Sequence, residues 1–189
     1  MRIKTVFSVA FVLLIFAAHT LYAGSEDKEF KYGGVKTCKA CHTTKKSGAQ
    51  YKIWKASKHA KAFETLKSPE ALKIAKEKGI DDPSKSEKCL KCHVTAFTAP
   101  AELKGPKLTM EEGVSCESCH GPGSAYKKKK IMIAIWEGKE DGAKYGLIKP
   151  DEKVCLSCHN EESPTYKPFN FEERVAEIAH PVPEKKAAK

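Results

Sequence analysis

Eight cysteines carry the chemistry of this sequence, and none stands alone. They form Cys38-Lys39-Ala40-Cys41-His42, Cys89-Leu90-Lys91-Cys92-His93, Cys116-Glu117-Ser118-Cys119-His120 and Cys155-Leu156-Ser157-Cys158-His159. Two thiols three positions apart share one side of a helical turn, and the next residue sets an imidazole beside them. That triplet supplies two thioethers to porphyrin vinyl groups and one axial nitrogen for iron. C-x-x-C-H is the attachment signature of c-type haem. Zinc, a redox dithiol or a disulfide scaffold would also use paired cysteines. None of them explains a histidine after all four pairs. The expected cofactor is four covalently bound haem c. Cys38, Cys41, Cys89, Cys92, Cys116, Cys119, Cys155 and Cys158 are the expected attachment points, and His42, His93, His120 and His159 the proximal iron ligands.

The distal ligands can be counted. The chain has seven histidines and three methionines. Four histidines are proximal, and His19 lies in the N-terminal segment discussed below. His59 and His180 remain, so at least two irons lack a second histidine. Methionine is the next ordinary axial ligand. Met1 stands at the very N-terminus, which leaves Met110 and Met132. Met132, in Lys130-Ile131-Met132, is the expected ligand. Met110 sits beside a helix cap and reads as packing. Any shortfall leaves an iron open or bound by water.

The N-terminus reads as an export signal. Arg2 and Lys4 precede an apolar run from Val6 to Ala18, and Leu21-Tyr22-Ala23 ends on a small residue. This pattern predicts a signal peptide over 1–23, cleaved before Gly24, and a single cytochrome domain over 24–189. A run of 13 apolar residues is short for crossing a bilayer, so no stable membrane insertion is expected after cleavage. Export places the chain in the periplasm, where covalent haem attachment occurs. The formal net charge is +10. Loss of Arg2 and Lys4 lowers it to +8, and each ferric haem with two ionised propionates adds roughly −1. The basic balance therefore reads as counter-charge to propionates and not as a nucleic-acid surface. Lys127 to Lys130 reads as a solvated face.

The elements that must hold these groups are mostly helical. His-to-His spacings of 51, 27 and 39 residues exclude a short tandem repeat. Ile53, Ala56, Ala60, Phe63 and Lys67 recur at helical steps and predict a helix over 50–66. Ser68-Pro69 opens a second helix that Gly79 closes. Thr109 and Glu112 suggest a capping box before the third motif. Gly121-Pro122-Gly123 breaks the chain after it, and a helix is expected over 124–136. Asn170 and Glu173 suggest another capping box, leading a helix that stops at His180-Pro181. No strand alternation is evident, and 184–189 reads as a disordered tail. Only 8% of the residues are aromatic, so the protein core alone would be thin. The expected fold is mainly α: short helices and long loops wrapped around four haems.

With these residues in view, the chain resembles the tetrahaem cytochromes related to the electron acceptor of hydroxylamine oxidoreductase in ammonia-oxidising bacteria. The resemblance rests on Trp54-Lys55-Ala56-Ser57-Lys58-His59-Ala60-Lys61-Ala62 after the first motif, and on Cys89 to His93 with Val94. Gly113-Val114-Ser115 leading through the third motif into Gly121-Pro122-Gly123 adds to it, as do Phe169-Asn170-Phe171-Glu172-Glu173 and His180. It implies that His59 ligates the third haem opposite His120, and that His180 ligates the fourth opposite His159. It further implies a five-coordinate second haem at His93. The family carries a histidine shortly after the Gly-Pro-Gly turn as a ligand of the first haem. Met132 stands in about that place here, which pairs it with His42 and implies a raised potential for that haem.

The function expected from these readings is a periplasmic electron carrier between redox partner proteins. Its own contribution is geometry and the tuning of potential. No separate acid–base or nucleophile constellation appears. The alternative is a haem enzyme that reduces a small nitrogen oxide at an open iron above His93.

Overall fold

A computed structural model describes residues 29–183. The expected signal peptide and the tail over 184–189 lie outside the described residues. Nine α-helices follow in order: α1 (Val35–His42), α2 (Gln50–Ala56), α3 (Ala62–Thr65), α4 (Pro69–Glu77), α5 (Glu87–His93), α6 (Cys116–His120), α7 (Lys129–Glu137), α8 (Glu152–Leu156) and α9 (Phe171–Ile178). None exceeds nine residues, and five 3-10 turns lie between them. Among the described residues the only β-type pairing is an isolated bridge between Tyr32 and Lys104. The mainly α expectation stands.

Helices this short are marginal alone, so each depends on caps and packing. Ser68 caps α4 by accepting from Ala71 N–H at 3.2 Å, with Pro69 at the first position. Asn170 caps α9 by accepting from Glu173 N–H at 3.3 Å. Both starts were legible in the sequence.

Four expectations are corrected. The helix expected over 50–66 is broken. Ser57 is extended (φ −77°, ψ 164°), and its hydroxyl donates back to Trp54 O at 2.7 Å. That local bond competes with the helical ladder, so His59 opens a 3-10 turn (His59–Lys61). The helix expected over 124–136 starts at Lys129 instead. Its first turns are held open by Ser124 N–H on Lys31 O at 3.0 Å and by the buried Tyr126 hydroxyl on Gly121 O at 2.8 Å. Thr109 makes no side-chain cap; its hydroxyl bonds the Glu111 carboxylate instead. Met110 is 41% exposed and does not pack.

The protein's own core is small. Phe63, Leu66, Leu90 and Val94 form its centre, with Cys89 and Phe97 against them. This cluster joins α3 to α5 and so seats the second C-x-x-C-H motif. The buried apolar residues outside it are Val35, Ala60, Ala75 and Tyr126 among those described.

Candidate functional site

Each motif rides the end of a helix. The first two close α1 and α5, and the third is α6 itself. The fourth runs off the end of α8, where His159 N–H still reaches Cys155 O at 2.9 Å. The cysteine pair thus faces one way, with the histidine at the helix terminus.

Three of the four histidines are fixed through Nδ1. His93 Nδ1–H donates to Ala62 O at 2.7 Å and His120 Nδ1–H to Ile148 O at 3.3 Å. His42 Nδ1 meets Gln50 Oε1 at 3.1 Å. Carbonyl oxygens only accept, so the proton belongs on Nδ1 and the Nε2 lone pair is left free. A partner on the far nitrogen is how ligating imidazoles are oriented and made more basic. The fourth ring, His159, lies stacked on Phe169 with centroids 4.9 Å apart.

The two spare histidines each stand beside a motif histidine. His59 lies 6.0 Å from His159 and His180 lies 5.8 Å from His120, centroid to centroid. The resemblance implied the other assignment, His59 with His120 and His180 with His159. Burial pushes the pKa of His59, His120, His159 and His180 downward, which keeps them in the neutral form that binds metal. His180 Nδ1 is buried without a hydrogen-bond partner.

These observations fit haem. Metal–imidazole bonds are about 2.0–2.1 Å, so two rings on opposite sides of one ion have centres roughly 6 Å apart. Both observed spacings match that figure. The thin core and the unpartnered His180 nitrogen agree with a large group occupying the interior. Met132 lies half-buried on α7. That helix is tied by Trp136 Nε1–H to Pro183 O at 3.0 Å, on the same C-terminal arm that carries His180.

The motifs also meet one another. Cys38 and Cys116 are hydrogen-bonded, which with burial pushes the Cys116 thiol up. Cys119 is pushed up to about 11 by burial, with Cys155 and Cys158 as its charged neighbours. Burial, then Cys158, pushes the Cys92 thiol up to about 11. Lys91 pairs with Glu162 across the same junction. The first motif thus adjoins the third, the third the fourth and the fourth the second, and Thr95, two residues past the second motif, also bonds Ser118 of the third at 2.9 Å.

Two buried carboxylates hold the first and third motifs together, and sequence reasoning did not single them out. Glu117 is 2% exposed. It accepts from the N–H groups of Gly33 (2.8 Å), Gly34 (2.7 Å) and Gly123 (2.6 Å). Glu112 accepts from Val35 N–H at 3.0 Å and from the Ser115 hydroxyl at 2.6 Å. Both bind at the start of α1, where exposed N–H groups and the helix dipole favour negative charge. Hydrogen bonds to a charged acceptor contribute about 1.5–3 kcal/mol each. Gly34 is required by its backbone (φ +78°) and by space, since a Cβ there would stand 2.4 Å from Lys107 O. The signal available in the sequence was the flanking glycines, because a glutamate at a variable motif position reads as surface.

Comparison with known proteins finds cytochromes. The family model described as cytochrome c554 and c-prime matches residues 37–121. Cytochrome c-554 of Nitrosomonas europaea is 36% identical over 165 residues, covering 80% of this chain and 67% of that protein. The multiheme cytochrome MtrA of Shewanella baltica is 25% identical over 114 residues, covering 55% of this chain and 33% of that protein. No solved structure matches.

Proposed function

This chain belongs to the cytochrome c554 and c-prime family, and from that premise we propose that it is a periplasmic tetrahaem carrier of electrons between redox proteins. Covalently bound haem c supplies reversible one-electron iron centres. The residues of the chain do the rest. Cys38 with Cys41, Cys89 with Cys92, Cys116 with Cys119 and Cys155 with Cys158 would each hold one group. His42, His93, His120 and His159 would be the proximal ligands.

The observation that carries this reading is two close histidine pairs, His59 with His159 and His120 with His180, whose ring centres lie 6.0 and 5.8 Å apart. Each pair would hold one iron and leave it no position for a substrate, which suits reversible electron transfer. Met132 is the proposed second ligand opposite His42, supported by the tie between α7 and the arm that carries His180. His93 has no such partner among the histidines of the sequence, since all seven are accounted for.

The adjoining of the first motif with the third, the third with the fourth and the second with both supports electron transfer from group to group within the molecule. Export rests on Arg2, Lys4 and the apolar run that follows. No described helix is long and apolar enough to cross a membrane.

The test is a reductive titration of purified protein with its haem content measured independently. Uptake of four electrons per chain, all returned to an added oxidant, is the expected result. Sustained consumption of nitric oxide or hydroxylamine by the reduced protein would replace the carrier with an enzyme.

A further inference from the structure

Gln50 stands where two parts of the site come together. Its side chain lies between α1, which ends in His42, and the C-terminal arm, which begins at His180. The carboxamide orientation follows from its partners. Ser47 O and Pro181 O are carbonyl oxygens that only accept, so the NH2 group faces them, with Nε2 3.0 Å from Pro181 O. The carbonyl Oε1 is left for His42 Nδ1–H at 3.1 Å.

The backbone is bent to deliver this residue. Gly48 (φ +97°) and Ala49 (φ +53°) are successive left-handed residues immediately before α2. A non-glycine residue in that region is strained, and such strain concentrates at functional positions. Gly48 is buried, and a Cβ on it would stand 2.3 Å from Pro181 O. The arm therefore lies directly on this turn. Trp136 Nε1–H holds the same arm two residues further on, at Pro183 O.

We propose that Gln50 is a positioning residue that couples two adjacent iron sites, setting the basicity of His42 through Oε1 and the placement of His180 through Nε2. The proposal rests on His42 and His180 being axial ligands. A stronger acceptor on Nδ1 makes an imidazole a more electron-rich ligand, and a richer axial ligand favours ferric iron. The NH2 end has a separate job, because it keeps the arm seated so that the His180 ring stays opposite His120.

Two substitutions separate the two ends. Gln50→Glu keeps an acceptor for His42 and makes it anionic, and it removes the donor to Pro181 O. Gln50→Leu removes both. The expected result is a downward shift in one midpoint potential for Gln50→Glu and an upward shift of the same haem for Gln50→Leu. Both variants gain a high-spin ferric signal as His180 loosens. Trp136→Phe removes only the second tie on the arm. It is expected to raise the high-spin signal without the opposed potential shifts, and it keeps the test alive if the Gln50 variants fold poorly. Potentials that move together in both Gln50 variants would overturn the Oε1 half. Unchanged low-spin content in Gln50→Leu and Trp136→Phe would overturn the Nε2 half. Haem content per chain and the ligand set of the wild type are measured alongside. A wild type lacking two bis-histidine signatures would remove the axial assignment itself, and unchanged variants of a normal wild type would remove only the coupling.

Discussion

At the scale of single residues, the side chains that reacted least to sequence reasoning are the buried carboxylates. Glu112 and Glu117 sit 77 and 83 positions from the backbone groups they hold, Val35 and Gly34. No local pattern announces so distant a pairing. Their ionisation has a measurable consequence. Burial raises the pKa of Glu112 above its ordinary 4.5, more than the Ser115 hydroxyl and Val35 N–H lower it, and nearby Glu117 raises it further. The folded chain therefore holds this proton over a window in which the unfolded chain has lost it. Stability from this group is present below the ordinary carboxylate range and is lost as pH rises through the folded pKa. Glu112→Gln keeps an acceptor for Val35 N–H and cannot ionise. Guanidinium midpoints taken from pH 4.5 to 8 should fall less steeply with pH in Glu112→Gln than in wild type. Parallel slopes would mean that Glu112 stays charged in the fold throughout.

At the scale of elements, the segment that presents His59 is fixed from outside itself. Val114 N–H donates to His59 O at 3.0 Å, and Trp54 Nε1–H donates to Val114 O at 2.9 Å. Gly113, just before, has φ +64°, and a Cβ on it would stand 2.7 Å from His59 O. Gly113→Ala should push the 3-10 turn away and weaken iron binding by His59, seen as a new high-spin ferric signal. Gly79→Ala is the control. Its φ is +66° and a Cβ there meets nothing within 4 Å, so it introduces a positive-φ alanine, at a cost of about 1 kcal/mol, without touching a ligand. A high-spin signal of equal size in both would refute the idea that Gly113 positions His59. This contact also marks the limit of what the sequence disclosed. The caps at Ser68 and Asn170, the helical character and the four motifs depend on neighbours in the chain, and they were legible. The break at Ser57, the late start of α7 and the His59–His159 and His120–His180 proximities depend on contacts between distant segments, and they were not. The resemblance implied His59 and His180 as ligands and joined each to the motif histidine other than the one it lies beside.

At the scale of the whole molecule, charge and order act together. The small core means that the four adjoining attachment sites organise the interior more than any apolar cluster does. The surface is basic. The full chain carries +10; loss of the proposed signal would leave +8, and four haems with ionised propionates would bring it to roughly +4. Lys127, Lys128, Lys129 and Lys130 are all exposed at the start of α7, so part of the positive field is concentrated there. Long-range attraction between such a surface and an oppositely charged reactant raises the encounter rate, and salt screens it. The screening length shortens from about 30 Å at 0.01 M to about 10 Å at 0.1 M, which brings it below the dimensions of the molecule. Oxidation of the fully reduced protein by anionic hexacyanoferrate should therefore slow severalfold over that range. Oxidation by a cationic hexaamminecobalt complex should accelerate instead. Stopped-flow absorbance measures both with one preparation. If the two responses are reversed, the propionates rather than the lysines govern the approach, and the basic face has no role in drawing partners in.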